Sequence, residues 1–421
     1  MNKKLSFPIG LLAVFILEIS AGDWPQYRGP AGNGHSTETG LPTEWGPGKN
    51  IKWRAPLPGP GNSSPVVIGE RVFVTVATDS GKQRHLYCFD RKDGKLHWIK
   101  TVEFEANEPT HRTNPYGGSS PAADAERVVV WHSSAGLYCY DHGGKELWKR
   151  DLGKFVHIWG YGASPVIYKD RILLNCGPGE QTSVIALDKK TGKTIWQKDE
   201  PGGASGLKKR NPSDKRAPWL GSWSTPQIVT DGGKELVFVA MPHHIQAYEP
   251  GTGEILWKCS GLGDLVYCDP VFGTGRGVAM SGYTGPAIGF KLEGDGDVTE
   301  SHRLWRSTSK NPQRIGSGVI IGKRLFMANE PGIAQCIDLE TGKDIWKARL
   351  PGGRIWGSVL HAEGRLYVTN QKGSTIIFAP NPEKLEILKV NHLNEPSNST
   401  PAFSNGEIFL RTFKAVYCVG E

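Results

Sequence analysis

The sequence predicts an all-β fold, an eight-bladed β-propeller built from four-stranded blades. Three observations carry this prediction. A step of small residues and proline opens a β-rich unit eight times along the chain, and a turn followed by tryptophan ends most of these units. Each unit is about 40 to 60 residues long and divides into four short strands, which is the arithmetic of a propeller blade. No long stretch has the 3.6-residue periodicity of helices, which excludes a helical solenoid.

The composition agrees with many short strands joined by turns. The chain has 421 residues, of which 54 are glycine and 29 are proline, the two residue types that most often interrupt regular structure. Its formal net charge of +8 is modest for this length and its basic residues are scattered, so the composition does not indicate nucleic-acid binding. One basic cluster, at 207–216, overlaps an insert at 203–218 and is predicted to be a solvated loop.

The N-terminus has the pattern of a secretory signal peptide at residues 1–21. Lys3 and Lys4 precede an apolar core at 11–17, and small residues follow at 20–22. A membrane anchor is disfavoured because the apolar run is shorter than a bilayer span and a polar stretch follows it. We therefore expect an exported protein of the periplasm or the extracellular space, without a transmembrane segment in the mature chain. Residues 22–48 form an N-terminal extension, and residues 49–421 form the propeller.

Each of the eight units begins with a step of small residues, in most cases followed by proline. The eight steps are "SSPVVI" (63–68), "SSPAAD" (119–124), "ASPVIY" (163–168), "STPQIV" (224–229), "CDPVFG" (268–273), "GSGVII" (316–321), "WGSVLH" (356–361) and "STPAFS" (399–404). The third unit shows the four strands as "SPVIY", "RILLNCG", "TSVIALD" and "TIWQKD". Valine, isoleucine, leucine and tyrosine dominate these segments, and turn residues separate them.

The stretch "ALDKKTGKTIWQ" at 186–197 explains why tryptophan recurs. The carboxylate of Asp188 can accept hydrogen bonds from turn N–H groups, and Gly192 can adopt a positive φ. Trp196 follows on the outer strand, where it can wedge between blades while its indole N–H reaches a backbone carbonyl. The tryptophans predicted to dock blades in this way are Trp53, Trp98, Trp148, Trp196, Trp257, Trp305 and Trp346.

The two ends of the chain predict how the ring closes. The last unit, 399–421, has three strands and stops before a tryptophan strand, whereas 49–57 supplies a tryptophan strand with no unit before it. The N-terminal strand with Trp53 is therefore predicted to complete the eighth blade, which satisfies its edge hydrogen bonds. Unit seven lacks the tryptophan, and we expect Ile387 or Leu388 to pack in its place.

Seven cysteines leave at least one thiol unpaired within the chain. Four of them share one repeat position and are predicted to be small core fillers rather than redox centres: Cys88, Cys139, Cys336 and Cys418. The sequence leaves the disulfide state of Cys176, Cys259 and Cys268 open. It contains no CxxC or HExxH spacing, so we predict no metal site.

The order alanine, aspartate, threonine, glycine and tryptophan at 186–196 resembles the repeat of the pyrroloquinoline-quinone (PQQ) propeller family. The resemblance covers about 50–421 and implies the eight-bladed fold. The family includes quinoprotein alcohol dehydrogenases and non-enzymatic proteins of the BamB type. The stretches "DWPQYRGPAGNGHS" (23–36) and "LPTEW" (41–45) are similar to the leaders of secreted PQQ-like propellers in planctomycete-type bacteria.

The resemblance leaves two functions open. In the quinoprotein dehydrogenases it implies a vicinal disulfide over the cofactor, a tryptophan below it, carboxylate and amide oxygens around Ca²⁺, and an aspartate base. This sequence has no adjacent cysteines and no local motif onto which the ligands or the base map. We therefore assign no catalytic residue, metal or cofactor, and expect a non-catalytic, monomeric scaffold that binds an envelope protein or a small ligand. The alternative is a PQQ- and calcium-dependent dehydrogenase that oxidises an alcohol or a sugar.

The loops before the opening steps are expected to face one mouth of the central channel. Their aromatic residues, together with arginine and histidine, suit a sugar, an aromatic ligand or an anchor residue of a partner. The candidate binding residues are His111, Asn114, His157, Trp159, Trp219, Trp223, Tyr267, Asp269, Arg314, Arg354 and Trp356. The alternative is that the aromatics cap the core and the polar side chains satisfy loop carbonyls. A glycosidase-type pair of carboxylates would have only Asp269 and Glu395 to draw on.

Overall fold

The structure, a computed structural model, describes residues 22–106, 108–179, 181–200, 220–308 and 312–421. Over these residues the chain forms eight antiparallel blades in a propeller ring, as predicted. The predicted signal peptide, the insert at 203–218 with its basic cluster, and Trp219 lie outside the described residues. No helix in the described ranges is both long and apolar enough to span a bilayer.

The strands are short, and blades follow one another along the chain. The first strand of the described residues is β1 (Ile51–Pro56). Blade 1 contains β2 (Val66–Ile68), β3 (Arg71–Thr78), β4 (Gln83–Asp90) and β5 (Leu96–Glu103). Blade 2 contains β6 (Ala122–Ala123), β7 (Arg127–Trp131), β8 (Leu137–Asp141) and β9 (Glu146–Arg150). Blade 3 contains β10 (Val166–Tyr168), β11 (Arg171–Cys176), β12 (Thr182–Asp188) and β13 (Thr194–Glu200).

The middle of the chain is less regular. After β14 (Gly221–Ser222), blade 4 contains β15 (Gln227–Asp231), β16 (Lys234–Met241), β17 (His244–Tyr248) and β18 (Ile255–Ser260). After β19 (Leu265–Val266), which pairs in parallel with β14, blade 5 contains β20 (Val271–Gly273), β21 (Arg276–Met280), β22 (Ala287–Lys291) and β24 (Arg303–Ser307). Before β24, β23 (Gly296–Asp297) adds a fifth strand to blade 4, and α1 (Thr299–His302) follows.

The last three blades return to the regular pattern. Blade 6 contains β25 (Val319–Ile321), β26 (Arg324–Ala328), β27 (Ile333–Asp338) and β28 (Asp344–Arg349). Blade 7 contains β29 (Leu360–Ala362), β30 (Arg365–Thr369), β31 (Ser374–Phe378) and β32 (Ile387–His392). Blade 8 contains β33 (Ala402–Ser404), β34 (Glu407–Arg411), β35 (Ala415–Val419) and the N-terminal β1. Two short 3₁₀ turns occur at Asp79–Gly81 and Ser133–Ala135.

The N-terminal strand occupies the outer edge of blade 8. β1 pairs antiparallel with β35, and Trp53 lies opposite Cys418. The same register recurs in the other tryptophan blades, where a small residue faces the tryptophan across the last strand pair. These facing pairs are Cys88–Trp98, Cys139–Trp148, Ala186–Trp196, Ala247–Trp257, Gly289–Trp305 and Cys336–Trp346. All seven cysteines are buried and free, so the repeated cysteines are small core residues, as predicted.

Each docking tryptophan spans the gap to the following blade. Its indole Nε1–H donates to a backbone carbonyl oxygen one to three residues after the third strand of that blade. The seven bonds are Trp53–Arg91 (2.7 Å), Trp98–His142 (3.0 Å), Trp148–Lys189 (3.0 Å), Trp196–Pro250 (2.9 Å), Trp257–Leu292 (3.1 Å), Trp305–Leu339 (2.7 Å) and Trp346–Asn381 (3.0 Å). Large rings that are buried with a satisfied N–H stabilise such contacts strongly.

The turn glycine of one blade lies against the tryptophan of the blade before it. Gly192 has φ +69°, and a Cβ built on it would lie 2.7 Å from the Trp148 ring. Gly253 lies against Trp196 in the same way, with a distance of 2.4 Å. The turn glycine therefore makes room for the tryptophan of the preceding blade. Only glycine readily combines a positive φ with such a close approach to an aromatic ring.

Blade 7 departs from the sequence-based prediction. Ile387 and Leu388 were expected to replace the missing tryptophan, but they are 42% and 47% exposed, so that prediction is wrong. The register places Lys389 at the tryptophan position, opposite Ile377. The apolar bulk comes from elsewhere in the sequence, because Trp45 of the N-terminal extension is 4% exposed in the core cluster that includes Ile377.

The N-terminal extension contacts six blades, at or next to their inner strands. Backbone bonds join Trp24 to Val67, Pro25 to Ala123 and Gly34 to His361. Arg28 also donates to the Gly318 carbonyl, and the Glu38 carboxylate accepts from the Gly406 N–H. Gly32 lies close to Gln227, because a Cβ built on Gly32 would be 3.1 Å from the Gln227 Oε1 atom. Residues 24–38 therefore pack against the blades and do not form a free tail.

Candidate functional site

A central cavity lies where the loops before the inner strands converge. Its volume is about 160 Å³, close to that of an engineered cavity that takes up one benzene ring. Every blade contributes to its wall, and the N-terminal extension adds one residue. The lining residues are Tyr27, Asn62, Thr113, Asn114, Gly118, Ser120, Trp159, Gly162, Ser164, Trp223, Thr225, Tyr267, Asp269, Gln313, Ile315, Trp356 and Asn398.

Aromatic rings form much of this wall. Trp223 packs edge-on against Tyr267, with ring centroids 5.0 Å apart, and its Nε1–H donates to the Gly160 carbonyl at 3.0 Å. His157 lies behind it, with centroids 4.9 Å apart and planes at 90°. These contacts fix Trp223 in one orientation, because edge-to-face packing and a satisfied N–H both favour it.

A closed ring of hydrogen bonds surrounds the cavity at the opening steps. In each blade the backbone N–H of one residue donates to a side-chain oxygen of the corresponding residue in the next blade. The members, in order, are Ser64, Ser120, Ser164, Thr225, Asp269, Ser317, Ser358 and Thr400, whose N–H returns to Ser64. The N···O distances are 2.7–3.2 Å. The serine-proline steps thus tie all eight inner strands together.

The asparagines in the wall are bonded to the protein itself. Asn62 Nδ2 donates to Asn114 Oδ1 at 2.9 Å, and Asn398 Nδ2 donates to Asn62 Oδ1 at 3.0 Å. Asn114 Nδ2 donates to the carbonyls of Trp159 and Tyr161. These amides therefore hold neighbouring loops in position, and their oxygens already accept hydrogen bonds.

The extension contributes Tyr27 and Arg28 to the interior. Tyr27 Oη lies 2.8 Å from Ser358 Oγ, and burial raises the pKa of Tyr27 to about 12. Arg28 is 0% exposed and donates from Nη2 to the carbonyls of Asn33 and Gly318. Burial lowers the pKa of Arg28, and the charge of Asp269 acts in the opposite direction.

Asp269 is the one charged residue among the described residues that line the cavity. Its Oδ1 accepts from the Thr225 N–H at 2.7 Å, whereas its Oδ2 is buried without a hydrogen-bond partner among the described residues. Burial raises its pKa to about 6, against the opposing effects of Arg28 and the Thr225 N–H. The carboxyl group thus carries a charge at neutral pH that its surroundings only partly stabilise.

The predicted binding residues separate into three groups. Six of them line the cavity: Asn114, Trp159, Trp223, Tyr267, Asp269 and Trp356. Two pack behind these, because His157 contacts Trp223 and the His111 ring lies 4.7 Å from the Trp159 ring. Two do not line it: the Arg314 side chain is buried near the Gly285 carbonyl, and the Arg354 side chain is 69% exposed beside Glu330. Trp219 lies outside the described residues.

Sequence reasoning missed several wall residues, and one signal could have found two of them. Asn62 and Asn398 share the order asparagine, serine, serine or threonine, proline at 62–65 and 398–401, and they bond to each other. Tyr27 had no such signal, because it comes from outside the repeats. Glu395 pairs with Arg54 and Thr412 and does not line the cavity.

The donor groups of this cavity do not fit a calcium-bound quinone. Ca²⁺ takes six to eight oxygen ligands, several of them carboxylates. The described wall offers one carboxylate, one glutamine, and three asparagines whose oxygens already accept hydrogen bonds. Nowhere in the described ranges do three or more His, Cys, Asp or Glu side chains come together as metal ligands would. The volume suits one ring rather than a tricyclic quinone. We derive no step through such a cofactor.

The fold and the cavity define an eight-bladed β-propeller with one central ligand-sized site. A family model, PQQ_2, described as "Outer membrane protein assembly factor BamB", matches residues 43–115, 86–260 and 296–385. The chain belongs to this family.

Individual relatives point in two directions. A polyvinylalcohol dehydrogenase of Pseudomonas sp. is 25% identical over 246 residues, 50% of this chain and 36% of that protein. The BamB of Alteromonas naphthalenivorans is 39% identical over 61 residues, 14% of each chain. The crystal structure of BamB from Moraxella catarrhalis has a TM-score of 0.56 at 14% identity, covering 87% of this chain and 93% of that one. The matches span about a third or less of these curated relatives, and the structural likeness shows the fold alone.

Proposed function

We propose that this protein is a non-catalytic scaffold that binds a small ligand, or one side chain of an envelope protein, in its central cavity. The observation that carries the proposal is an aromatic wall that holds a buried carboxylate oxygen, Asp269 Oδ2, without a hydrogen-bond partner among the described residues. Concave sites of this kind, apolar with few directing groups, are typical of binding pockets. The wall asparagines Asn62, Asn114 and Asn398 form hydrogen bonds with neighbouring groups of the protein.

The ionisable groups near the cavity favour binding over acid–base chemistry. His157 packs behind the wall residue Trp223, and burial lowers the pKa of His157 to about 4. Its Nδ1 already accepts from the Trp159 N–H at 3.1 Å, and its ring packs behind Trp223. In the described wall, Asp269 is accompanied only by the phenols of Tyr27 and Tyr267 as ionisable side chains, and burial raises the pKa of both phenols, so the described wall offers no group matched to Asp269 as an acid–base pair near neutral pH.

The proposed location is the periplasm or the cell exterior. Its support is the predicted signal peptide at residues 1–21 and membership of a family whose description names outer-membrane assembly. The scaffold is proposed to act as a monomer.

A second candidate function is a PQQ-dependent dehydrogenase, supported by the similarity to the polyvinylalcohol dehydrogenase. Adding PQQ and Ca²⁺ to the purified protein, followed by dye-linked oxidation assays with alcohols and sugars, separates the two candidates. We expect neither stoichiometric quinone absorbance nor turnover. Stoichiometric binding with turnover would replace the scaffold proposal by the dehydrogenase.

Occupancy of the cavity can be tested with a set of single-ring compounds by ligand-observed NMR. We expect hits that lose their signal with Trp356→Ala, which removes part of the wall. Ile195→Ala, at a 41% exposed position on an outer strand, serves as the matched control and should keep the hits. Hits that survive Trp356→Ala would exclude the cavity as their binding site.

A further inference from the structure

The ring of hydrogen bonds contains one exception that its structural role does not explain. Seven of its eight members use a serine or threonine hydroxyl to accept the N–H of the preceding blade. Only Asp269 uses a carboxylate, and only one of its two oxygens serves the ring. A hydroxyl would make the same bond without burying a charge, which is costly in a protein interior.

We propose that the cavity binds an organic ammonium group, with Asp269 as its counter-charge and the surrounding tryptophan and tyrosine rings as its enclosure. This inference rests on the proposed function, since it names the chemical class of the ligand at the same site. The ammonium group belongs either to a free amine or to a lysine side chain of a partner protein.

The free carboxylate oxygen is the first support. Asp269 is 5% exposed, lies in the cavity wall, and has no hydrogen-bond partner at Oδ2 among the residues described. The nearby Arg28 does not satisfy it, because its Nη2 donates to two backbone carbonyls and its Nε and Nη1 have no partner in that same set. A ligand ammonium group would supply the missing hydrogen-bond donor and add to the partial charge compensation that Arg28 provides.

The aromatic wall is the second support. Trp159, Trp223, Trp356, Tyr267 and Tyr27 all line the cavity. Cations are attracted to the faces of aromatic rings, and cages of such rings are a recurrent means of binding ammonium groups. The described wall contains no lysine, arginine or histidine that would repel a cation.

The amide groups argue against a neutral sugar as the main ligand. Sugar binding needs several free donors and acceptors, whereas the oxygens of Asn62 and Asn114 already accept from neighbouring amides. A compact ammonium group on a narrow body needs one carboxylate and several rings, which is what the cavity provides. Its volume also suits such a ligand.

The test uses two matched pairs of probes, measured by isothermal calorimetry at pH 7.5. Benzylammonium and benzyl alcohol represent the free amine, and a capped lysine amide and a capped norleucine amide represent the side chain of a partner. We expect at least one ammonium probe to bind ten-fold more tightly than its neutral counterpart. The pair that shows the larger ratio identifies the source.

Asp269→Thr gives the decisive variant, because threonine already occupies two positions of the ring and keeps its hydrogen bond. We expect this variant to bind both members of a pair equally while its circular dichroism and melting temperature show a folded protein. Ser64→Thr, at a ring position that does not line the cavity, is the matched control and should retain the ten-fold preference.

The possible results distinguish failure of the ammonium proposal from failure of the proposed binding function. Equal binding of charged and neutral probes by the native protein would overturn the ammonium proposal and leave the cavity as a binding site. Absence of binding by all four probes and by the wider single-ring set would overturn the proposed function as well. A preference that persists in Asp269→Thr would show that another group provides the counter-charge, which also contradicts the proposal.

Discussion

At the scale of single residues, Asp269 combines a structural and an electrostatic role. Its Oδ1 holds the N–H of Thr225, as hydroxyls do elsewhere in the ring, and its backbone N–H donates to Ser317 Oγ. Burial raises its pKa to about 6, so keeping it ionised reduces the stability of the folded state. A residue that weakens the fold where a neutral one would serve is a strong indicator of function.

Asp269→Thr should therefore stabilise the protein, and the gain should depend on pH. Because the folded-state pKa of about 6 exceeds the ordinary aspartate value of 3.8, the folded native protein binds more protons than the unfolded chain between these pH values. Its stability therefore falls as the pH rises through them. Above pH 6 the loss approaches roughly 3 kcal/mol, since each pKa unit corresponds to about 1.4 kcal/mol. Tyr27 and Cys268, whose pKa values burial raises to about 12, stay neutral over this range.

Urea unfolding at pH 4 and pH 7.5 measures this difference. The free energy of unfolding of Asp269→Thr, relative to the native protein, should be higher at pH 7.5 than at pH 4. Thr225→Ser, at the neighbouring ring position, should show the same difference from the native protein at both pH values. An equal effect of Asp269→Thr at both pH values would mean that the carboxyl group titrates normally.

At the scale of single elements, the turn and the tryptophan belong to different blades. The turn itself was predictable: Asp188 Oδ1 accepts from the backbone N–H groups of Lys190 and Thr191, and Gly192 has a positive φ. The tryptophan's backbone acceptor was also predictable from its spacing. The sequence did not predict that the turn glycine of one blade contacts the tryptophan of the blade before it. That contact depends on how two neighbouring sheets stack.

Gly192→Ala should therefore cost more than its backbone conformation alone explains. The new Cβ would lie 2.7 Å from the Trp148 ring, so the ring or the turn must move. Gly275→Ala is the matched control, with φ +70° and no atom within 4 Å of its Cβ. We expect the control to lose about 1 kcal/mol for its left-handed backbone and Gly192→Ala to lose about 2 kcal/mol more, as for an overpacked core.

Chemical denaturation of both variants gives the comparison. If the two glycine substitutions destabilise the protein equally, the close contact with Trp148 does not contribute.

Blade 7 shows where a repeat pattern misleads. The sequence pointed to Ile387 or Leu388 because they lie near the missing tryptophan in the chain, yet the register places Lys389 there. The buried ring comes from Trp45, whose backbone N–H donates to Asn391 Oδ1 at 3.0 Å. No local pattern marks a replacement from over 300 residues away.

This correction predicts opposite sensitivities to mutation. Trp45→Ala should lower the free energy of unfolding by about 3 to 5 kcal/mol, the usual cost of removing a buried tryptophan. Leu388→Ala, at a 47% exposed position, should change it by under about 0.5 kcal/mol. Thermal unfolding of the two variants decides the matter, and a larger loss for Leu388→Ala would restore the original prediction.

At the scale of the whole molecule, the fold was predictable and the site was only partly so. Eight copies of one unit and the unequal ends of the chain were enough to indicate the architecture. The cavity is assembled from loops of all eight blades and from Tyr27, so its composition depends on side-chain directions that repeats do not encode. Arg354 shows this, because it shares the position pattern of the wall residues but its side chain is 69% exposed.

The extension should protect specific inner-strand amides from hydrogen exchange. Val67 and His361 donate their N–H groups to the carbonyls of Trp24 and Gly34 at 2.9 and 2.8 Å. A chain that begins at residue 49 should exchange these amides faster, since they lose their acceptors. The amide of Leu173, in the second strand of blade 3, should be unaffected in comparison with a chain that begins at residue 22.

Mass spectrometry of exchanged peptides resolves the two regions. Unchanged protection at Val67 and His361 in the shortened chain would show that the extension does not cover them in solution.

The closed hydrogen-bond ring has a consequence for how such proteins diversify. Because each ring position needs only one side-chain oxygen, exchanging a hydroxyl for a carboxylate, or the reverse, alters the charge at one angular position while the bond to the neighbouring blade persists. Evolution or protein design can therefore place the carboxylate at any of the eight ring positions. Each choice would orient a charged ligand differently while the propeller stays the same. In this chain the carboxylate, Asp269, is at the position of blade 5.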